Sequence, residues 1–109
     1  ERVDIGRERD EDLVAEHGVV SAPCAAAMAE GVRRLTGSTY ALSTTGVAGP
    51  AAQEGRPPGT VFVAVAGPTG VTGVALELRG SRASIQDRTC VEALEALLDI
   101  LRVEETSLR

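Results

Sequence analysis

The chain has no lysine and no tryptophan, and it has only one tyrosine, one phenylalanine and one histidine. All eleven basic residues are arginines, so these residues alone offer no lysine amine for catalysis. The scarcity of aromatic rings excludes a platform for stacking bases, and the net charge of −5 opposes attraction to a phosphate backbone. We therefore expect no binding of nucleic acid.

Cysteines and long apolar runs are also scarce. Cys24 and Cys90 fall in segments with helical patterning and lack the CxxC spacing of zinc or redox motifs, so we interpret both as small core side chains. We find no metal-ligand spacing among the acidic residues. No apolar run approaches the about 18 residues that span a bilayer, and no signal-like segment is present. These absences predict no metal, no membrane partner and a reducing compartment.

Small aliphatic residues supply most of the apolar fraction of 43%, which suits a sheet covered by helices. A length of 109 residues is typical of one domain. Residues 1–12 are dense in charge and are predicted to form an extended lead-in. We assign the domain to residues 13–103 and a polar tail to residues 104–109.

The first half of the chain alternates helical and extended patterns. A short helical turn from Leu13 is predicted to end at Gly18, and a helix over 22–35 is predicted to follow the N-cap Ser21. A buried strand is expected over 39–45. The expected buried stripe of the helix is Ala25, Met28, Ala29, Val32 and Leu35.

The second half predicts a hairpin and a long helix. Strands at about 60–66 and 71–78 flank a turn and should pair antiparallel. Ser81 is expected to cap a helix of about 20 residues. The fold class that we predict is α/β, with three α/β/α layers and a small mixed sheet. The expected buried stripe of the last helix is Ile85, Cys90, Leu94, Leu97 and Leu101.

A glycine-rich segment, residues 43–50, lies where the first predicted strand ends and a long loop over 46–59 begins. Ligands bind at such strand ends in open α/β sheets. The glycines allow a ligand to approach the backbone, and the threonine hydroxyls add hydrogen-bonding groups suited to a phosphate or carboxylate. The alternative is a tight turn with only a structural role.

A second candidate is Arg82, in the first turn of the last helix, where exposed amides and the helix dipole favour an anion. The same dipole disfavours a cation there, so Arg82 needs a compensating partner, which a bound phosphate would supply. Alternatively Arg82 points to solvent or pairs with Glu77 or Asp87. His17 is more typical of a structural histidine beside a turn glycine, and Cys90 on the expected buried stripe would lack the access that a reactive thiol needs.

Five short motifs occur along the chain: 16–21 (EHGVVS), 28–33 (MAEGVR), 45–50 (TGVAGP), 58–63 (PGTVFV) and 80–82 (GSR). Together these motifs resemble a known family, the CinA C-terminal domain, also called PncC. The resemblance extends over about residues 12–102, and it is specific because the motifs agree in order and spacing.

The resemblance implies a cytoplasmic enzyme that hydrolyses the carboxamide of nicotinamide mononucleotide to nicotinic acid mononucleotide and ammonia. It implies a small-molecule nucleotide as the partner and neither a metal nor another cofactor. In that family the nucleophile is a serine in a Glu-Ser-Cys-Thr-Gly-Gly-type motif near the start of the domain. A tyrosine and a lysine from a Tyr-x-x-x-x-Lys-like segment assist it.

None of these three elements occurs in the chain, and Arg2 stands roughly where the lysine segment would end. An arginine does not deprotonate to act as a base. Either the sequence is an N-terminally incomplete piece of a normal domain, or it is a natural variant that has lost the chemistry. We favour the first, since removing the first strands and a helix would expose one face of the sheet. We expect the 109 residues alone to be inactive.

The remaining roles follow the family motifs position by position. The resemblance implies a catalytic contact for Thr45, phosphate binding for Arg82, and substrate contacts for Thr44, Gly46, Ala48 and Gly49. Two departures weaken the expected phosphate site: Ser81 replaces the aspartate of a Gly-Asp-Arg motif, and Gln86 and Asp87 stand where the family often has a further arginine.

Two other functions remain open at this point. The chain could be a non-catalytic nucleotide-binding or interaction module, because CinA-type proteins can carry this domain fused behind another one. It could also be a structural oligomerisation domain, which the apolar hairpin favours, and a homo-oligomer is possible in either case. The sequence upstream of Glu1 would discriminate between an enzyme and a module.

Overall fold

The computed structural model describes residues 16–49 and 51–107. The predicted lead-in over residues 1–12 lies outside the described residues. The described elements, in chain order, are α1 (Ala22–Thr36), β1 (Ala41–Gly46), β2 (Thr60–Gly67), β3 (Gly70–Glu77) and α2 (Arg82–Ser107). None of the helices in the described part of the chain combines the length and the apolar character that a membrane span requires.

Helix α1 begins and ends as its sequence predicts. The Ser21 hydroxyl accepts a hydrogen bond of 3.2 Å from the Cys24 amide, and Pro23 occupies the first turn, where a missing N–H removes no helix bond. Gly37 ends the helix with a φ of 71°, and its amide donates to the Arg33 carbonyl at 2.9 Å. These caps confirm the predicted helix to within one residue.

The described sheet has three strands in the order β1-β2-β3, and both strand pairs are antiparallel. The predicted hairpin is confirmed, with Thr60 opposite Glu77 and Gly67 opposite Gly70. The predicted mixed sheet is not found in the described part of the chain. Each connection between these strands joins antiparallel neighbours, and no parallel crossover is described.

The two helices cover opposite faces of the sheet, which gives the predicted three layers. Alternate residues of β2 point to opposite faces, so one strand contributes to two clusters. The α1 face consists of Ala25, Ala29, Ala64 and Ala66, with Phe62 and Val71 packed against them. The α2 face consists of Val61, Val63, Ile85 and Ala93, with Leu42, Ala48, Leu76, Leu78 and Ala96 packed against them.

Small side chains decide which residues of the helices are buried. Ala25 and Ala29 are fully buried as predicted, but Leu35 is 73% exposed because the described residues leave the last turn of α1 uncovered. The buried stripe predicted for α2 is wrong except for Ile85 and the half-buried Leu97. The face toward the sheet runs through Ile85, Ala93 and Ala96, and Cys90, Leu94 and Leu101 are exposed.

Helix α2 is longer than predicted and has 26 residues, so the polar segment assigned to a tail is helical as far as Ser107. The Tyr40 hydroxyl donates a hydrogen bond to the Glu104 carboxylate and ties the end of the helix to the chain before β1. An apolar edge of the helix is not covered by described residues. It consists of Val91, Leu94, Leu98 and Leu101.

Candidate functional site

The segment between β1 and β2, residues 47–59, forms the site loop. Its two ends are held together, because the Val47 amide donates to the Thr60 carbonyl at 2.9 Å and the Gly59 amide donates to the Val47 carbonyl at 2.6 Å. Gly59 has a φ of 95°, and a Cβ there would overlap the Leu78 carbonyl oxygen. The loop therefore leaves the sheet through a junction that only glycine fits.

A cavity of about 600 Å³ lies between this loop, the end of β1 and the first two turns of α2. Cavities of this size are typical of small-ligand sites. The structure places all six predicted site residues on its wall: Thr44, Thr45, Gly46, Ala48, Gly49 and Arg82. Residues from β1, the loop and a distant helix thus converge on one cavity.

Arg82 joins the helix to the loop across this cavity. Its Nη1 donates a hydrogen bond of 2.9 Å to the Gly49 carbonyl oxygen. Among the described residues, no ion pair forms between Arg82 and either Glu77 or Asp87. The compensating partner that the sequence required in the first turn of α2 is therefore a loop carbonyl, and the other N–H groups of the guanidinium have no partner in the described part of the chain.

The Thr45 hydroxyl, for which the sequence predicts a catalytic contact, donates its hydrogen bond to the protein backbone. Its hydroxyl donates a hydrogen bond of 2.8 Å to the Val19 carbonyl, in the turn that precedes α1. The proton of this hydroxyl is therefore committed to the protein, although the oxygen can still accept a hydrogen bond. Thr44 beside it is exposed on the cavity wall.

Two backbone amides on the cavity wall have no partner among the described residues. Within the described residues, the amides of Ala48 and Gly49 make no hydrogen bond. Gly49 has a φ of 91°, and left-handed residues in such loops allow neighbouring N–H groups to turn toward one concavity. Ala48, Gly49 and Arg82 all line the cavity, so these amides and the guanidinium are candidate donors for anionic or carbonyl oxygens.

Sequence reasoning missed several residues of this wall. Thr89 lies on the first turns of α2, and Gln53 comes from the loop. Gln86 also lines the cavity, at a position that the resemblance already links to the phosphate site. The sequence predicts Cys90 as a core residue, but it is an exposed free thiol on the cavity wall. A helical projection from Ile85 would have placed Thr89 beside the site, whereas no local signal marks Gln53.

The other sequence candidates lie away from the cavity. The imidazole Nε2 of His17 is 3.6 Å from a carboxylate oxygen of Glu16, and His17 is not part of the cavity wall. Cys24 is buried on α1, as predicted. No group of three or more histidine, cysteine, aspartate or glutamate side chains in the described chain is arranged to hold a metal ion.

The chain is similar to a known protein family over most of its length. A profile of the CinA C-terminal domain matches residues 8–101. A CinA-like protein of Frankia casuarinae is 47% identical over 92 residues, which are 84% of this chain and 21% of that protein. A putative competence-damage inducible protein of Desulforamulus reducens is 46% identical over 84 residues, 77% of this chain and 20% of that protein. The chain thus spans about a fifth of these relatives.

Solved structures show the same fold. The competence damage-inducible protein A of Klebsiella pneumoniae superposes with a TM-score of 0.83 at 29% identity, over 92% of this chain and 61% of that one. The competence/damage inducible protein CihA of Agrobacterium tumefaciens superposes with a TM-score of 0.78 at 28% identity, over 90% of this chain and 59% of that one.

Proposed function

The chain belongs to the CinA C-terminal domain family, and from that premise we propose that it forms the nucleotide-binding part of a cytoplasmic amidohydrolase. The proposed substrate is nicotinamide mononucleotide, and the products are nicotinic acid mononucleotide and ammonia. The observation that carries the proposal is that one cavity of about 600 Å³ is lined both by the site loop and by Arg82, whose guanidinium has N–H groups left for an anion. The serine nucleophile would come from outside these residues.

Arg82 is proposed to bind the phosphate of the nucleotide. It lies in the first turn of α2, where the amides and the helix dipole attract an anion, and its guanidinium can give two parallel hydrogen bonds to phosphate oxygens. The bond from Nη1 to the Gly49 carbonyl holds the side chain over the cavity. Because only one of its N–H groups is used, Arg82 can contact a phosphate without releasing the loop.

The carboxamide would lie at the opposite end of the cavity, near the end of β1. When a serine oxygen attacks the amide carbon, the carbonyl oxygen becomes negative, and the C–N bond then breaks as the nitrogen takes a proton and leaves as ammonia. Water next hydrolyses the acyl intermediate to the carboxylate. The amides of Ala48 and Gly49 lie on the Arg82 side of the cavity, because the Gly49 carbonyl accepts from Arg82, so they would add donors to the phosphate. The donors that stabilise the oxyanion would come, with the nucleophile, from outside these residues. Thr45 would position this wall through its bond to Val19.

The experiment that tests this function is ammonia release from nicotinamide mononucleotide by the complete protein, with nicotinamide riboside as the comparison substrate. The riboside has the same carboxamide but no phosphate. We expect kcat/KM to be about ten- to a hundredfold lower for the riboside, which corresponds to one charge-assisted contact of about 1.5–3 kcal/mol. Release of no ammonia from either substrate would contradict an amidohydrolase.

A second function is a nucleotide-binding module without catalysis. The cavity wall in the described chain includes no serine, tyrosine or lysine. These residues therefore offer contacts for a nucleotide but none of the three side chains that the family uses for hydrolysis. Calorimetric binding of nicotinamide mononucleotide to the complete protein, without any ammonia release, would favour this alternative over the enzyme.

A further inference from the structure

One carboxylate joins the site loop to the turn that precedes α1. The side chain of Glu54 accepts a hydrogen bond of 2.9 Å from the Val20 amide and one of 3.2 Å from the Val19 amide. We name these contacts between Glu54, Val19 and Val20 the Glu54 clasp. Glu54 lies 34 residues after Val20 and 35 after Val19, so the clasp joins two segments that are distant in the sequence.

The turn is shaped to receive the carboxylate. Gly18 has a φ of 84°, and a Cβ built on it would lie 2.7 Å from the nearer carboxylate oxygen of Glu54. A glycine at this position therefore permits the approach. The Thr45 hydroxyl binds the Val19 carbonyl, so the N–H and the C=O of Val19 are both held by residues flanking the cavity.

On the loop side, Glu54 lies at the tip of a small hairpin. Gln53 and Arg56 exchange backbone hydrogen bonds of 3.0 and 2.9 Å, and Glu54 and Gly55 between them have φ values of 55° and 75°. Positive φ at both central residues is the geometry of a type I′ turn. Glu54 is the only non-glycine residue with positive φ in the described chain, so the clasp holds a conformation that a glutamate seldom adopts.

The hairpin continues directly from the cavity wall. Ala51, Ala52 and Gln53 line the cavity, and Glu54 follows them. The loop is therefore attached to the protein on two sides, by Arg82 at Gly49 and by the clasp at Glu54. Without the second attachment, residues 51–53 would be held only by the ends of the loop and by the bond at Gly49.

We propose that Glu54 is a positioning residue of this site, whose carboxylate holds the cavity-wall residues 51–53 in place. Its effect on substrate rests on the proposed function. The hydrogen bonds from the amides of Val20 and Val19, in that order of size, hold the pKa of Glu54 below its ordinary value of 4.5. The group is therefore charged at neutral pH and can act as a double acceptor.

The test compares Glu54→Gln and Glu54→Gly with the wild type in the complete protein. Glutamine keeps the length of the side chain but replaces one acceptor oxygen with a donor that faces an amide. Glycine removes the carboxylate and at the same time suits the positive φ, so this variant separates loss of the clasp from backbone strain. Glu77→Gln is the matched control, since this exposed glutamate on β3 lies outside the cavity wall.

Two measurements are needed. Hydrogen exchange of the Val19 and Val20 amides should accelerate by about tenfold or more in both Glu54 variants, because local opening becomes easier, and should not change in Glu77→Gln. With nicotinamide mononucleotide, KM should rise about three- to tenfold while kcat changes less, because a mispositioned wall weakens binding of substrate and transition state alike.

Unchanged amide exchange in both Glu54 variants would overturn the clasp. Faster exchange with unchanged KM and kcat would overturn its role in positioning the site. If the wild type releases no ammonia, the proposed function fails by itself, and the exchange rates of residues 51–53 still decide whether Glu54 holds this wall. Faster exchange of these amides in both variants supports the proposal, and unchanged exchange overturns it.

Discussion

Arg82 and Gly49 lie 33 residues apart in the sequence and are joined by a hydrogen bond of 2.9 Å between the guanidinium and the loop carbonyl. This bond brings the start of α2 to the loop that leaves β1. It also leaves most donors of the guanidinium unused in the described residues, beside a cavity of about 600 Å³. The cation that is unfavourable for the helix is thus placed where a nucleotide phosphate would stabilise it.

The role of Thr45 can be tested by separating its hydroxyl from its methyl group. Thr45→Ala removes the donor to the Val19 carbonyl, and one net hydrogen bond of about 0.5–1.5 kcal/mol predicts a two- to tenfold fall in kcat/KM. Thr45→Ser keeps the hydroxyl and should stay close to wild type. Thr72→Ala, at an exposed position of β3, is the control. Equal loss in the alanine and serine variants would contradict a role for the hydroxyl.

The Glu54 clasp predicts a particular dependence of stability on pH. Because the pKa of Glu54 is lowered in the folded protein, by Val20, by Val19 and by the nearby charge of Arg56, the folded state favours the carboxylate. The stabilisation is therefore present above the ordinary pKa of 4.5 and is lost as the pH falls through the lower folded value.

Thermal unfolding from pH 7 to pH 3 measures this dependence. The difference in Tm between wild type and Glu54→Gln should be largest at neutral pH and should shrink as the solution becomes acidic. A difference that grows toward low pH would contradict the sign of the linkage.

Two glycines with positive φ, Gly37 at the end of α1 and Gly59 at the end of the site loop, should differ in how much stability they lose on substitution by alanine. At Gly37 the left-handed φ alone disfavours alanine, because nothing lies within 4 Å of the added Cβ, and the expected loss is about 1 kcal/mol. At Gly59 the Cβ also overlaps the Leu78 carbonyl. Gly59→Ala should therefore lower the free energy of unfolding by more than about 2 kcal/mol. Urea unfolding gives both values, and equal losses would contradict the described junction.

The two cysteines should differ in reactivity. Cys90 is exposed on the cavity wall and Cys24 is buried on α1, so N-ethylmaleimide should modify Cys90 first in the native protein. Saturating nicotinamide mononucleotide should slow this reaction, and the same concentration of nicotinamide alone should slow it less. Mass spectrometry after digestion identifies the modified thiol. Equal labelling of both thiols, or no protection by the nucleotide, would contradict the proposed occupancy of the cavity.

The sequence predicted those parts of the fold that depend on local signals. The Ser21 and Gly37 caps, the hairpin and the loop were foreseen because each depends on residues that are neighbours in the chain. The face of α2 was not, because large leucines suggested a stripe where the sheet accepts Ala93 and Ala96 instead. Periodicity shows which residues share a face, but the fit to Val61 and Val63 decides which face is buried.

The candidate site shows the same difference between features that local sequence predicts and features that only the fold reveals. The family motifs located the loop and Arg82, and the structure brings them to one cavity. Glu54 and Thr45 act through contacts with Val19 and Val20, which lie more than twenty residues away in the sequence. Such contacts leave no periodic or spacing signal, so they could be found only from the fold.

The central claim is that Arg82 recognises the phosphate of a nucleotide amide, and a comparison of two substrates tests it most directly. For wild type, Arg82→Ala and the control Arg88→Ala, whose side chain pairs with Glu92 on the surface, kcat/KM is measured with nicotinamide mononucleotide and with nicotinamide riboside. Loss of the bond to Gly49 affects both substrates equally, so the ratio of the two kcat/KM values isolates the phosphate contact. We predict that this ratio falls about ten- to a hundredfold in Arg82→Ala and is unchanged in Arg88→Ala. A ratio that Arg82→Ala leaves at its wild-type value would contradict the account.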